Sequence, residues 1–367
     1  MTADTMNSDA LKRDYSLVGL DTKRAEERGL ATAEWYHSPI PRKRLKELMQ
    51  RSDGPATKDI TIWAAAFAIA GLGALLTWGT WWAVPFFIVY GMLYGSSSDA
   101  RWHEYGHRTA FRTQWKNDIL YEIFSFMVLR EPEVWRWSHT RHHTDTIIVG
   151  RDPEIAVPRP PNVLEICLSF LGIPQGRVYF KKIALHATGK LTDEEKTFIP
   201  ETEWSRVCRT ARIHLGIYVA VVALSLVTWS IMPLMFIGLP SFYGAWWYLT
   251  TGLTQHAGLC EDVLDHRLNC RTVMMNPIAR FLYLNMNYHV EHHMFPMIPY
   301  YNLPALHEEM KDDTPKPYTG FWDAYSEIVP TVLRQVKEPG YYAKRELPPT
   351  ARPFTPPGTS PTSVAAE

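Results

Sequence analysis

Two long stretches of this chain carry no Asp, Glu, Lys or Arg, and they divide the rest into three polar segments. The first runs from Ile60 to Gly95 and the second from Ile213 to Gln255. A helix of about 19 apolar residues, rising about 1.5 Å per residue, spans the roughly 30 Å hydrocarbon core of a bilayer. Each stretch is therefore long enough for two crossings. Trp78-Gly79-Thr80-Trp81 interrupts the first near its middle, and Pro233 interrupts the second. The pattern predicts two helical hairpins, with helices over 60–78 and 81–96 and then over 213–232 and 234–252. The second arm continues into Ser97–Trp102. Trp246, Trp247 and Tyr248 fit a membrane interface, where side chains with one apolar and one polar end collect. Ile119–Leu129 and Val163–Ile173 are too short to span and read as interfacial or core helices.

This gives an all-α, polytopic membrane fold. A polar cytosolic segment, 1–59, precedes a membrane domain over 60–310. A cytosolic segment over 311–346 follows, then a Pro-, Thr- and Ser-rich tail, 347–367, expected to be disordered. The first residues lack the basic-then-apolar pattern of a secretory signal. The basic cluster Arg42-Lys43-Arg44-Leu45-Lys46 sits where anionic headgroups attract it. Every Lys and Arg lies in the three polar segments. An even number of crossings puts those segments on one face, and the positive-inside rule makes that face, with both termini, cytoplasmic.

Composition adds limits. Lys plus Arg and Asp plus Glu are 38 each, so no charge excess points to nucleic acid. A mean hydropathy of -0.19 averages a small apolar part with a large polar one. None of Cys167, Cys208, Cys260 and Cys270 forms a C-x-x-C pair, which argues against a cysteine-held iron–sulfur centre. They read as free thiols in a reducing compartment.

The chemistry lies in the histidines. Eight of the fourteen fall into three clusters: His103 and His107; His139, His142 and His143; His289, His292 and His293. The spacings are i, i+4 and i, i+3, i+4, which place imidazoles on one face of a helix. Neutral imidazole binds iron, zinc, copper and nickel. All three clusters adjoin a predicted hairpin on the same side, and eight ligands exceed the four of one tetrahedral zinc. They suit two ions. His37, His186, His214 and His307 read as surface or satisfied groups.

The order HEYGH, HTRHH and, after the second hairpin, NYHVEHHMFP resembles the membrane fatty-acid desaturase superfamily of acyl desaturases, alkane hydroxylases and carotenoid ketolases. The resemblance runs from about residue 60 to 310. It implies a four-helix membrane stem and a helical cytosolic cap holding a di-iron centre, with the eight histidines as iron ligands. It also implies a further ligand after the last membrane helix, assigned to His256, with His266 as the competitor. Stretches around Gln255–Leu259, Asp265–Asn269 and Asn285–Pro296 are similar to a bacterial branch that includes the oxygenase of rhizopine breakdown. The bacterial inner membrane is accordingly favoured over the endoplasmic reticulum.

Glu104, Asp145, Asp152, Asn287 and Glu291 are candidates to receive the outward N–H of ligand imidazoles, as are Glu261, Asp262 and Asn285. The implied activity is O2-dependent oxidation of an unactivated C–H bond. Its products are an alkene from an acyl or lipid substrate or, on the alternative reading, an alcohol from a hydroxylase or monooxygenase. Electrons come from a separate donor, a ferredoxin or cytochrome b5 with its reductase, because neither a Cys-rich module nor a His-Pro-Gly-Gly motif is present. Arg136, Arg141 and Arg151 are candidates to steer an acidic donor. Trp102, Trp135, Trp137, Phe281 and Tyr283 are candidates to line a substrate channel. Two rivals remain. His103-Glu104-Tyr105-Gly106-His107 is literally the H-E-x-x-H of a zinc metalloprotease. A histidine-rich transporter would need ionisable groups inside its membrane helices, and the predicted helices carry no charge.

Overall fold

The computed structural model describes residues 13–31 and 33–354, and among them regular structure is helical apart from two isolated bridges. The helices that position the histidines are α1 (Asp53–Leu76), α2 (Ala83–Met92), α3 (Ser98–Gly106), α4 (Gln114–Met127), α5 (Pro132–Thr144), α6 (Ile173–Ala187), α7 (Trp204–Val227), α8 (Met232–Phe236), α9 (Pro240–Tyr243), α10 (Trp246–His256) and α11 (His289–Met294). Two stretches, Arg42–Leu76 and Glu201–Val227, are long and apolar enough to cross a membrane. They contain α1 and α7. Their outer faces expose Ile62, Ile69, Leu72 and Leu76, and Val219, Leu224, Leu226 and Val227. Apolar surface of this extent marks contact with something other than water.

The predicted arms appear with different bounds. The first begins earlier, at Asp53, where Ser52 accepts a hydrogen bond from the Gly54 N–H and so supplies the N-cap. The second continues past Met92 through a π turn, Leu93–Ser97, into α3. An added residue of this kind shifts the phase of the helix, and π turns recur at functional sites. The fourth arm is not one helix. Where one was expected over 234–252, the chain makes the short helices α8 and α9 before α10. Gly238 has φ of +102°, and Pro240, having no N–H, starts α9 instead of continuing a helix.

This broken arm packs backbone to backbone on α2 and the π turn. A Cβ on Gly244 would lie 1.8 Å from the Gly91 carbonyl oxygen, and one on Gly95 would lie 2.5 Å from that of Pro240. The Ser96 hydroxyl donates to the Gly244 carbonyl and accepts from the Tyr248 N–H. Only residues without side chains allow this approach. At the other end Trp78, Phe87 and Phe236 touch in sequence, which brings the two hairpin tips together. Trp81, Trp82 and Trp229 project from those tips into the surroundings.

The opposite end carries the histidines. Of the predicted disordered tail, residues 347–354 lack regular structure but are held: Arg267 donates to the Arg352 carbonyl, and Phe354 packs on Tyr36. Residues 355–367 lie outside the described residues. His186 on α6 is fully buried, with Nδ1 2.8 Å from the Glu131 carboxylate and Nε2 2.9 Å from that of Glu195. This clamp ties α6 to the residue preceding α5, the helix of the second histidine cluster.

Burial opposes charge on His186, but Glu131 and Glu195 outweigh it and raise its pKa to about 9. A raised folded-state value stabilises fully below the usual imidazole range near 6.5 and is lost as pH rises through about 9. Resistance to thermal unfolding in detergent should therefore fall between about pH 7 and pH 10. His186→Leu, which leaves Glu131 buried without a cation while Glu195 keeps Lys182, should lose about 3 kcal/mol at neutral pH and flatten that dependence.

Candidate metal centre

Three helix ends and one helical turn deliver the histidines. His103 and His107 lie on the last turn of α3 and its cap, and His139, His142 and His143 on the last turns of α5. His256 ends α10, and His289, His292 and His293 occupy the six-residue α11. Residues 150 or more positions apart meet: the rings of His103 and His292 lie 4.6 Å apart, and those of His143 and His293 4.4 Å.

The nine imidazoles sort into two adjoining groups. His103, His107, His139, His143 and His292 converge on one point, and His142, His256 and His293 on a second. His289 joins the second group, its Nε2 2.9 Å from that of His256 and 3.0 Å from that of His293. In the first group His139 Nε2 lies 3.1 Å from His107 Nε2 and 3.2 Å from His143 Nε2, which is 3.2 Å from His292 Nε2. The Nε2 atom of His103 is buried with no hydrogen-bond partner. Ring nitrogens facing one another at this range repel unless a cation or proton sits between them. Two ligands about 2.1 Å from one ion and at right angles to each other lie about 3.0 Å apart. The observed edges match that value, so the donor set fits metal ions of higher than tetrahedral coordination.

Burial, reinforced by neighbouring histidines, holds His103, His107, His143, His289, His292 and His293 well below the usual imidazole range. Burial does the same to His256. Neutral rings keep the lone pair that a metal needs. His142 differs: burial lowers it, but Asp152 outweighs burial and leaves its pKa raised.

The outward nitrogens are held by specific acceptors. His142 Nδ1 is 2.8 Å from Asp152, His103 Nδ1 3.1 Å from Glu104, and His256 Nδ1 2.7 Å from the Asn269 carbonyl. His139 Nδ1 is 2.9 Å from Glu154, a partner that sequence reasoning missed although it stands two residues beyond Asp152. Burial raises the Glu154 pKa, but His139 outweighs burial and holds it at about 2. Glu104 Oε1 also lies 4.0 Å from His292 Nδ1, so it faces the first and third clusters together. That outer position suits an orienting carboxylate and does not suit the general base of a protease.

Other expected acceptors have different partners. Asp145 pairs with Arg151 and Arg141, and Glu291 with His307 and Thr272. Asn287 donates to the Val273 carbonyl, and Asn285 to that of Tyr300. Glu261 pairs with Arg13 and Arg159, and Asp262 with Arg28. The three proposed steering arginines are likewise engaged: Arg136 with Asp118, Arg141 with Asp145 and Thr197, and Arg151 with Asp145 and Glu26.

A cavity of about 100 Å³ opens on both groups, reaching His103 and His139 in one and His142, His256 and His289 in the other. Of the predicted channel aromatics, Trp102 lines it. Trp135 packs edge-on against Trp102, and Tyr283 accepts a hydrogen bond from the lining Gln255. Phe281 packs on Arg101, and Trp137 lies in an apolar cluster around Val134.

The family model for fatty acid desaturases matches residues 79–325, more than half of the chain. The chain is similar to an omega-6 fatty acid desaturase, endoplasmic reticulum isozyme 1, of Glycine max. The two are 25% identical over 274 residues, covering 64% of this chain and 70% of that protein. It is also similar to a Delta(12)-fatty-acid desaturase of Arabidopsis thaliana, 30% identical over 103 residues, covering 28% of this chain and 25% of the other. A Delta(12)-oleate desaturase of Trichosanthes kirilowii is 32% identical over 93 residues, covering 24% and 25% respectively. The chain thus spans about a quarter of the length of these last two relatives.

Metal-ligand orientation by carboxylates predicts an effect without touching a ring. Glu154→Gln and Asp152→Asn should each weaken binding of a divalent ion about 10–100-fold, read by titration of metal-free protein with cobalt. Asp145→Asn, whose carboxylate faces arginines, should leave that binding unchanged.

Proposed function

The chain belongs to the fatty acid desaturase family, and from that premise we propose that it is a di-iron membrane oxidoreductase that desaturates a fatty-acyl or other lipid substrate with O2. The observation that carries this reading is the convergence of nine imidazoles, ring nitrogens inward, into two adjoining ion-sized groups.

His103, His107, His139, His143 and His292 would hold one iron ion, and His142, His256, His289 and His293 the other. Bound iron supplies the O2 activation needed to break an unactivated C–H bond. The protein's own contribution is orientation. Glu154, Asp152, Glu104 and the Asn269 carbonyl fix which ring nitrogen points inward, because each accepts the outward N–H. The cavity brings a substrate against both groups, and Trp102 supplies an apolar wall there.

On this reading the stem crosses the bilayer four times, with α8 to α10 forming the broken fourth crossing. Carbonyls freed by such a break are tolerated where protein covers them, as α2 covers these. The histidine end faces the cytoplasm, where a separate ferredoxin or cytochrome b5 supplies electrons. Substrate reaches the site from the lipid.

One observation favours a second reading, oxidation of a compound with polar groups near the reacting carbon. The cavity lining includes Asp99, Arg130, Glu154, Arg159, Gln255 and Glu261. Asp99 pairs with Arg130, and Arg159 with Glu261. Methylene groups gain nothing beside such groups, whereas hydroxyls or amines find partners.

The test is expression with a redox donor and mass spectrometry of lipids and polar metabolites. Loss of two hydrogens from a lipid is the expected result. Gain of one oxygen assigns hydroxylation, and a change confined to a polar compound overturns the lipid reading. Metal analysis should find about two iron ions per chain, against one zinc for a protease. His139→Ala and His289→Ala should each lower product by at least about 100-fold with loss of iron.

A further inference from the structure

We propose that Trp35 and His266 form the route by which electrons from a carrier protein reach the four-histidine group. The proposal rests on the two-ion reading above. His266 competes with His256 for the role of ninth ligand, yet its position suits another task. Its ring is 2% exposed and lies 5.1 Å from the ring of His293. On its other side it stacks on the indole of Trp35, with centroids 4.3 Å apart and planes 5° from parallel.

Trp35 is half-buried, between the exposed residues Glu34 and Tyr36's neighbour His37. Its Nε1–H donates to the Thr144 carbonyl, 2.9 Å away. Thr144 is the last residue of α5, so the indole is pinned to the helix that carries His139, His142 and His143. The file Trp35, His266, His293 therefore runs from the surface to an inward-facing imidazole through π systems in contact, with no saturated gap.

The surroundings explain why such a route is useful. In the five-histidine group His107 and His143 keep some exposure of their own. In the four-histidine group His142, His289 and His293 are buried, and His142, His256 and His289 line the cavity where substrate would sit. A path through His266 enters this group at His293, and neither residue is among those lining the cavity. Electron balance is simple. Each reduced one-electron carrier, an iron–sulfur or haem protein, loses one electron, and one ferric ion becomes ferrous. No bond forms or breaks in Trp35 or His266.

The test uses the full chain loaded with iron in detergent. Reduction by ferredoxin or cytochrome b5 is followed through the absorption of the oxidised centre, with dithionite as a small reductant that needs no relay. Trp35→Leu and His266→Leu should keep the wild-type iron content and the wild-type rate with dithionite. With the carrier each should slow by about tenfold or more, equivalent to about 1.4 kcal/mol of barrier. Trp35→Phe and His266→Phe, which keep an aromatic ring in place, should stay near wild type.

A wild-type carrier rate in Trp35→Leu overturns the relay. So does loss of iron in His266→Leu, which would make His266 a ligand, or failure of both carriers to reduce an iron-loaded wild-type chain. A wild-type chain that takes up no iron overturns instead the two-ion reading on which the relay stands.

Discussion

Nine imidazoles turned toward one another inside a protein form an arrangement that is costly unless cations occupy it. Each lone pair leaves water, and neighbouring nitrogens approach to about 3 Å. Polar groups buried without partners cost roughly 1–3 kcal/mol each, so a set of this size persists only where the surrounding structure is rigid. Most of the architecture can be understood as supplying that rigidity. Glu154, Asp152 and the Asn269 carbonyl hold the rings from outside. The His186 clamp fixes the chain just before the second cluster.

The stem contributes through close packing. Gly91, Gly95 and Gly244 let the broken fourth arm lie directly against α2 and its π turn. That contact sets where α10 ends, and His256 is its last residue. The π turn sets the phase of α3 and so the direction of His103 and His107. Two departures from a straight helix, on neighbouring segments, thus aim ligands from different parts of the chain at shared points.

Charge around the centre is used locally. Arg141 and Arg151, beside the second cluster, pair with Asp145, and the cavity itself contains two ion pairs. Fixed pairs of this kind offer polar contacts without a net field. They leave aromatic contact, as in the Trp35–His266 stack, as the feature connecting the surface to the interior of the second group.

Local periodicity determined much of this protein. Charge-free stretches located α1, α2 and α7, and spacings of three and four residues put each histidine cluster on one helical face, because both properties belong to a single segment. The sequence also singled out His256, and it found Glu104 and Asp152 beside the clusters. It did not reveal how the clusters divide into five and four, since His142 and His143 are adjacent on one helix yet face different groups. Nor did it show that Glu154 reaches His139, that Asp145 and Glu291 turn elsewhere, or that the fourth arm breaks in three. Those outcomes depend on contacts between residues far apart in the chain, where backbone packing and competition among partners decide which side chains meet.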